Sequence, residues 1–308
     1  NRCREAFAGV PLIIGGLEAS LRRFAHYDYW DDRVRHSILY DACADLLVYG
    51  MGERAIVAIA EALRQGRPVS DITEVPGTCV RVPSAETVND AILLPAYGEV
   101  AKDNRKYCEA FVLQSREQDA VRGKRLLQPH EKGCLLCNPP ALPLTTRELD
   151  EVYALPFTRK PHPSIQGHIP ALDEVSFSIT SSRGCFGNCS FCALTFHQGR
   201  VVTARSHESI LEEAEGFVRD PAFKGYIHDV GGPTANFRHP ACQKQLKSGV
   251  CAEKQCIGFT ACKNLDASET DYVSLLRKLR AIGGVKKVFV RSGVRYDYAL
   301  LDRDDTFL

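Results

Sequence analysis

The sequence predicts an α/β protein, because short apolar runs that end at glycines alternate with segments of helical periodicity. Residues 11–14 and 44–49 are two such runs, and Gly15-Gly16 and Gly50-Met51-Gly52 follow them. Residues 53–65 then carry apolar side chains at the spacing of an amphipathic helix. Strands that lead through glycine turns into such helices are typical of a parallel sheet. We therefore predict a partial Rossmann-like domain over residues 1–120.

A proline-rich segment follows this first region. Half of the chain's 16 prolines lie between residues 121 and 172, namely Pro129, Pro139, Pro140, Pro143, Pro156, Pro161, Pro163 and Pro170. Proline lacks an amide hydrogen, so a segment this rich in proline is expected to form neither a regular helix nor a central strand. The sequence therefore predicts an extended connector over residues 121–172.

The third region, residues 173–308, again alternates strands with helices. Apolar runs at 175–180, 226–230 and 285–290 predict three strands. Ser206 is placed to cap one helix, and Gly283-Gly284 is placed to end another. The carboxyl ends of parallel strands meet at one edge of a sheet, where α/β proteins bind their ligands.

The composition limits the class of protein. The chain has 308 residues, of which 44% are hydrophobic and 25% charged, as in globular proteins. It contains neither a signal peptide nor a run of about 18 apolar residues, so we expect a cytoplasmic protein without a membrane span. The formal net charge of +1 gives no support for a nucleic-acid surface. Met51 is the only methionine, and we expect a fragment that lacks both ends.

Three cysteines with the spacing C-x3-C-x2-C are the strongest chemical signal. They are Cys185, Cys189 and Cys192, and Gly184 and Gly187 allow the loop to fold tightly around a bulky group. Thiolates suit iron-sulfur clusters, and an electron-transferring cubane normally has four protein ligands. Three ligands from one loop would leave one iron open, as catalytic metal centres do. We predict a 4Fe-4S cluster here.

Other interpretations of these cysteines belong to another functional class. A zinc knuckle or scattered buried thiols would suit a protein that senses redox state or docks a partner without catalysis. A zinc site usually shows two C-x2-C pairs or added histidines. A closed iron-sulfur or zinc site requires a fourth protein ligand, and His197 is the nearest candidate in the sequence.

The cysteine loop resembles that of the radical S-adenosylmethionine (SAM) superfamily, with Phe191 as the aromatic residue of C-x3-C-x-(aromatic)-C. Residues 183–200, 229–236 and 285–298, together with 16–30 and 50–55, are similar to the YgiQ-type radical SAM proteins. The resemblance implies a partial (β/α) barrel and an enzyme that cleaves SAM reductively to form a radical. Its substrate is not indicated, and we expect an electron donor such as a flavodoxin or ferredoxin.

The resemblance also implies which residues hold the cofactor. Phe191 would lie near the adenine, and Gly231-Gly232-Pro233 replaces the superfamily's Gly-Gly-Glu, so the acid is missing. The end of the third strand is a further candidate, with Arg291, Ser292, Arg295 and Asp297. Such a barrel has six strand-helix units, of which we count three strands, so we expect the 308 residues alone to be inactive or poorly stable.

The first region resembles the later half of a cobalamin-binding domain, through Gly15-Gly16 and Gly50-Met51-Gly52-Glu53. The histidine motif that ligates cobalt would lie before Asn1. We favour the alternative that these glycines only make tight strand-to-helix turns. For the aromatic and acidic residues 26–32, we favour a half-buried loop over a substrate-binding mouth. Cys134 and Cys137 form a lone C-x2-C, which we expect in a loop.

Four further cysteines predict a second metal or cluster site. Cys242, Cys251, Cys256 and Cys262 lie between the second strand and the next helix, where residues 239–264 show no sustained apolar stripe. Metal binding supplies folding energy to such cysteine-rich segments. The alternative is that they are unpaired thiols on a flexible insertion, because their spacing matches no standard zinc ribbon.

Overall fold

The computed structural model of the protein describes residues 2–303, and the predicted features at Asn1 and at residues 304–308 lie outside this range. The α-helices within it are α1 Arg2–Ala6, α2 Leu17–Leu21, α3 Ile38–Asp41, α4 Glu53–Arg64, α5 Tyr97–Val100, α6 Asn104–Arg116, α7 Thr146–Tyr153, α8 Pro170–Val175, α9 Leu194–Gln198, α10 His207–Arg219, α11 Gln243–Ser248, α12 Thr270–Arg280 and α13 Tyr296–Ala299. Short 3-10 helices span Val69–Asp71 and Ala85–Thr87. Within residues 2–303, every helix is too short or too polar to cross a membrane.

The strands are mostly short. They are β1 Ile13–Ile14, β2 His26–Asp28, β3 Arg33–Arg35, β4 Leu46–Val48, β5 Thr78–Val82, β6 Ala91–Leu93, β7 Arg125–Pro129, β8 Cys134–Cys137, β9 Ser178–Thr180, β10 Ser182–Arg183, β11 Thr203–Ala204, β12 Tyr226–Ile227, β13 Asp229–Gly231 and β14 Lys287–Val288. The chain divides into two compact units. The first comprises residues 1–142, 191–199 and 247–252, and the second comprises 143–190, 200–246 and 253–308.

The first unit is built on a six-stranded sheet in the order β1-β4-β5-β8-β7-β6. The predicted strands at 11–14 and 44–49 are confirmed as β1 and β4, and the predicted helix at 53–65 is α4. The sheet is mixed and not purely parallel. Only β1 with β4 and β6 with β7 pair in parallel, whereas the other neighbours are antiparallel. The tight turn between β7 and β8 requires this, because a parallel connection needs a long crossover.

Both faces of this sheet are buried. Leu47 and Leu135 belong to the apolar core on one face, while Leu46 and Leu136 belong to the core on the other. Helix α4 contributes Ile59, which is fully buried, to the second core. The alternation follows from the two-residue period of a strand, so near-continuous apolar runs indicate strands covered on both sides.

The predicted connector over residues 121–172 contains regular structure. Strands β7 and β8 lie inside the six-stranded sheet, and helices α7 and α8 follow. Proline tolerates these elements because of its positions. Pro129 is the last residue of β7, beyond the part paired with β6, and Pro170 begins α8, where no amide hydrogen is needed.

The second unit contains the three predicted strands in shortened form. The first is β9, since residues 170–175 form α8 instead, and the third is β14. The second strand is divided at His228, so that β12 pairs in parallel with β14 and β13 pairs in parallel with β9. Its apolar core includes Ile227 and Val230, covered by Phe217 of α10 and Leu275 of α12. Ser206 caps α10 as predicted, since its side chain accepts a hydrogen bond from the Ser209 amide.

Candidate metal centre

The cysteine loop begins directly after β10, at a turn that only glycine fits. Gly184 has φ +84°, and a Cβ atom at this position would overlap the carbonyl oxygen of Val201. Asn188, within the loop, also has a positive φ, of 47°. Left-handed backbone conformations are costly for residues with a side chain, so the two positions give the loop a fixed path.

Two of the predicted ligands converge on Gly187. A Cβ atom at Gly187 would lie 3.3 Å from the Sγ of Cys185 and 3.8 Å from the Sγ of Cys189. Cys185 is buried and its Sγ lies 3.5 Å from the Oγ1 of Thr234, whereas Cys189 is partly exposed. The Nη1 of Arg295 would lie 2.9 Å from the same Cβ atom, so a side chain at residue 187 would displace these groups.

Arg295 brings a positive charge to the same place. Its Nη1 donates to the Sγ of Cys189 over 3.2 Å. The other side of the guanidinium is held by Asp297, through Nε–Oδ1 and Nη2–Oδ2 distances of 2.7 and 2.5 Å. The hydrogen bonds from Arg295 hold the pKa of Asp297 below its usual value, and those to Asp297 raise the pKa of Arg295. A guanidinium is suited to stabilise a thiolate.

A buried polar pair, Asn236 and Glu269, holds the backbone of Arg295 in place. The amide of Arg295 donates to the Oδ1 of Asn236 over 2.9 Å, and the Nδ2 of Asn236 donates to the Oε1 of Glu269 over 2.5 Å. Burial raises the pKa of Glu269 to about 7. Glu269 carries no sequence motif and is not among the predicted site residues. Asn236 lies at the end of one of the resembling segments, which was the only available signal.

Aromatic packing fixes the start of the loop. Phe186, between Cys185 and Gly187, is completely buried and stacks on Phe237 with 3.8 Å between the ring centroids. Tyr298 meets Phe237 edge-on at 4.9 Å. This packing places an apolar support directly under the first cysteine.

The predicted cofactor residues of the second unit lie at the carboxyl ends of its strands. Gly231 faces the side chain of Ser292, and Gly232 faces Ser182, so both glycines allow close approach within the protein itself. Pro233 follows them and is half-buried. Asp229 accepts hydrogen bonds from the amides of Arg291 and Ser292 over 2.7 and 3.2 Å.

Arg291 differs from Arg295 in its partner. Its guanidinium forms an ion pair with Glu174, and the side chains of both are more than half exposed. Exposed pairs of this kind contribute little to stability. The arginine of this strand end that reaches a cysteine is therefore Arg295.

The third cysteine belongs to a segment of the first unit. Cys192 is partly exposed, and the neighbouring Phe191 side chain is 90% exposed. Helix α9 anchors this segment, since the Nδ1 of His197 lies 2.8 Å from the Oγ of Ser20. Gln118 also donates to the carbonyl oxygen of Phe196 over 3.2 Å.

The cysteines predicted to form a second site are divided between the units. Cys251 lies in the first unit, and Cys242, Cys256 and Cys262 lie in the second. In the second unit, the amide of Cys262 donates to the carbonyl oxygen of Cys256 over 3.0 Å. The shared metal site stays a prediction. All thirteen cysteines lie within residues 2–303, and each is free of a disulfide.

We expected Cys134 and Cys137 to lie in a loop. They lie instead in strand β8, and both are buried. Cys137 belongs to the core on one face of the sheet and Cys134 to the core on the other, so the two thiols cannot share a metal.

Residues 26–32 form β2 and the turn that connects it to β3, its antiparallel partner. Asp28 is buried and accepts hydrogen bonds from the amides of Trp30 and Asp31, as expected for satisfied polar groups. Trp30 itself is 79% exposed, so the aromatic residues are less buried than the favoured interpretation implied.

The chain is similar over its whole length to proteins of two Clostridium species. It is 54% identical over 310 residues to a UPF0313 protein of Clostridium perfringens (strain ATCC 13124), with all of this chain and 47% of that protein covered. A UPF0313 protein of Clostridium botulinum (strain ATCC 19397) is 55% identical over 309 residues, with 100% and 48% covered. The chain thus spans about half the length of the curated relatives it matches.

A solved structure is also similar, though distantly. It is the radical S-adenosylmethionine methyltransferase TsrM from Kitasatospora setae with tryptophan substrate and a SAM analogue bound. Its TM-score is 0.34 at 14% identity, and the match covers 91% of this chain and 49% of that one.

The sequence model of one family matches more than half of the chain. Its description is Radical SAM N-terminal, and the match covers residues 1–178, ending before the cysteine loop. The chain therefore belongs to the Radical SAM N-terminal family.

Proposed function

We propose that this chain is part of a radical SAM enzyme whose 4Fe-4S cluster is bound by Cys185, Cys189 and Cys192. The convergence of the Cys185 and Cys189 sulfur atoms on Gly187 is the observation that carries the proposal. The guanidinium of Arg295 beside Cys189 supports it, because a cluster with thiolate ligands is negatively charged.

The residues present fit such a group. Gly187 has no side chain, so the sulfur atoms of Cys185 and Cys189 can both approach it closely. The donors are soft thiols, which suit iron-sulfur clusters. Three cysteine ligands leave one coordination position for the amino and carboxylate groups of SAM. When bound, the cluster supplies the electron for reductive cleavage of the SAM sulfonium, which generates a carbon radical.

The protein's own residues bind and orient. Phe186 and its aromatic partners hold the loop in place, and Arg295 donates to the Cys189 sulfur, which tunes a cluster's reduction potential. We assign cofactor contacts to Phe191, Gly231, Gly232, Pro233, Arg291 and Ser292. The exposed ring of Phe191 is available to stack on adenine. The hydrogen bonds that Asp229 accepts from the amides of Arg291 and Ser292 orient the turn at these two residues.

The wider assignment rests on the sequence. We propose the YgiQ-type subgroup, a flavodoxin or ferredoxin as electron donor, and a partial (β/α) barrel completed by parts of a longer protein. Binding of cobalamin is not part of the proposal. The glycines of the first unit serve its own turns, since Gly50, at φ +74°, lies two residues after the end of β4 and donates its amide hydrogen to the Oγ of Ser20.

The second candidate function is a non-catalytic redox-sensing or docking protein with a closed metal site. It requires a fourth protein ligand. The Nδ1 of His197, the nearest candidate in sequence, is already hydrogen-bonded to Ser20. This contact leaves the other ring nitrogen of His197 for a metal, so the response of the cluster to SAM must separate the two functions.

The test uses the complete protein, reconstituted anaerobically with iron and sulfide. We expect a 4Fe-4S EPR signal that changes on addition of SAM, and formation of 5′-deoxyadenosine with a strong reductant. Replacing Cys185, Cys189 and Cys192 with alanine should abolish all three readouts. Cys108→Ala, which removes an exposed cysteine elsewhere, is the matched control.

Two results would refute the proposal. The first is an undiminished EPR signal in the triple variant. The second is a cluster whose EPR signal does not change with SAM and which forms no 5′-deoxyadenosine with a strong reductant, which would favour the sensing or docking function.

A further inference from the structure

We propose that His36, His130 and Glu131 of the first unit form a binding site for a divalent transition metal, with zinc as the best match. One ligand atom from each residue lies within 4.8 Å of the other two. Among residues 2–303, this is the group of His, Cys, Asp and Glu side chains that meets this condition. Two imidazole nitrogens and one carboxylate oxygen are a donor set that zinc takes in proteins.

The surroundings of His130 independently indicate that an ion binds here. Both of its ring nitrogens are buried and lack a hydrogen-bond partner. The ring stacks on Tyr40 with 4.4 Å between centroids, and Tyr97 lies parallel to it at 5.6 Å. A buried polar atom without a partner costs free energy, and an unseen ion is one of the few physical explanations. A metal bound to one nitrogen would remove that cost.

The remaining two ligands already face one another. The Nε2 of His36 lies 2.8 Å from the Oε2 of Glu131. On the opposite side of the ring, the Nδ1 of His36 is 4.0 Å from the Oδ1 of Asp41. Metal-bound histidines commonly direct the second nitrogen toward a carboxylate, which orients the ring. A short movement of Asp41 would complete this arrangement.

Two short connections between elements carry the ligands. His36 lies between β3 and Ser37, whose side chain caps α3 by accepting from the Leu39 amide over 3.2 Å. His130 and Glu131 lie in the turn between β7 and β8, which the His130 amide closes by donating to the Gly133 carbonyl oxygen over 2.9 Å. Ligands in short connections that are tied by hydrogen bonds to a strand or helix are held more precisely than ligands on long loops.

An ion pair without a metal is the alternative explanation. The side chains of His36 and Glu131 are 33% and 64% exposed, and pairs this exposed contribute little to stability. An ion pair would also leave the two nitrogens of His130 unexplained. The exposure suits a metal site better, since it leaves water free to occupy a fourth coordination position.

The experiment must separate this site from the thirteen cysteines. Metal-free, reduced protein is titrated with Zn²⁺ in a calorimeter, and with Co²⁺ in a spectrophotometer. Co²⁺ bound by histidine and carboxylate shows visible d–d bands, whereas thiolate ligation adds a near-ultraviolet charge-transfer band. The titrations use the variant with Cys185, Cys189 and Cys192 changed to alanine.

We expect His36→Ala and His130→Ala each to remove one equivalent of bound Zn²⁺. Each should also remove the d–d bands of Co²⁺ that are not accompanied by a thiolate charge-transfer band. Glu131→Gln, at an exposed position where folding is not at risk, should weaken Zn²⁺ binding at least ~10-fold. His162→Ala is the control, since His162 is exposed and its Nδ1 contacts only Ser164.

Unchanged Zn²⁺ stoichiometry and affinity in both His36→Ala and Glu131→Gln would overturn the proposal. The proposal would also be overturned if all Co²⁺ bound by the protein with His36, His130 and Glu131 intact showed thiolate charge transfer.

Discussion

The Nη1 of Arg295 lies 3.2 Å from the Sγ of Cys189, although 106 residues separate the two in the chain. Hydrogen bonds and positive charge at a cluster's sulfur ligands stabilise its reduced, more negative state. We therefore expect Arg295→Gln to lower the midpoint potential of the reconstituted cluster by on the order of tens of millivolts. Arg295→Lys should cause a smaller shift, because it keeps the charge but not the planar hydrogen-bonding geometry.

Redox titration followed by EPR measures these shifts. Arg277→Gln, on the exposed face of α12, is the matched control that removes one positive charge elsewhere. Equal potentials in Arg295→Gln and the parent protein would show that Arg295 does not act on the cluster.

Substitutions at two glycines with similar backbone angles can distinguish the effect of steric overlap from that of backbone strain. Gly184 has φ +84° and Gly199 has φ +81°, yet only at Gly184 would a Cβ meet a backbone atom. We expect Gly199→Ala to lower the free energy of unfolding by about 1 kcal/mol, the cost of a left-handed residue. Gly184→Ala should also displace the cysteine loop and reduce cluster content severalfold, measured as iron and sulfide per protein. Equal cluster content in both variants would contradict this.

Glu269 predicts a pH dependence of stability. Its pKa is raised from the ordinary 4.5 to about 7, chiefly by burial. Between these values the folded protein holds a proton that the unfolded chain has released. Stability therefore falls as the pH rises from 4.5 to about 7, by at most about 3 kcal/mol.

Urea unfolding of the parent protein and of Glu269→Gln across this range tests the prediction. Glu269→Gln should show a flatter dependence on pH, while Glu212→Gln, on the exposed surface of α10, should follow the parent. Parallel curves for the parent protein and Glu269→Gln would mean that Glu269 titrates normally.

The hydrogen bonds of Ser20 predict that its replacement loosens a nearby segment of the first unit. Its buried hydroxyl accepts from the Gly50 amide over 2.9 Å, donates to the Gly16 carbonyl oxygen over 3.0 Å, and meets the Nδ1 of His197. Ser20→Ala leaves these groups without their partner, which costs about 1–3 kcal/mol. Hydrogen exchange should become faster in residues 191–199, the segment that carries Cys192.

Ser70→Ala is the control for this measurement, because the Ser70 hydroxyl is exposed and contacts only the neighbouring Asp71. Unchanged exchange in residues 191–199 of Ser20→Ala would show that other contacts, such as that from Gln118, hold the segment.

The second set of cysteines remains a prediction with a direct test. We expect the variant without Cys185, Cys189 and Cys192 to retain zinc or iron that does not depend on His36 and His130. Additional replacement of Cys251 and Cys256 should remove that metal, as measured by elemental analysis. A protein whose metal content is unaffected by these two changes has no such site.

Much of the local structure was predictable from the sequence. The strands β1 and β4, the helix α4 and the cap at Ser206 depend on side chains that are close in the chain, so periodicity and capping rules apply directly. The connector was predicted wrongly because the count of prolines ignores their positions. Pro129 and Pro170 lie at element ends, where the missing amide hydrogen costs nothing.

By itself, the sequence determined the cysteine loop, since its ligand spacing and its glycines lie within ten residues. Only the tertiary structure decided which distant groups meet, such as Arg295 with Cys189 or His36 with Glu131, which are 95 residues apart. It also decided that β8 pairs antiparallel with β5 and β7 inside the first sheet. These outcomes depend on strand pairing and burial between remote segments, and neither leaves a periodic pattern in the sequence.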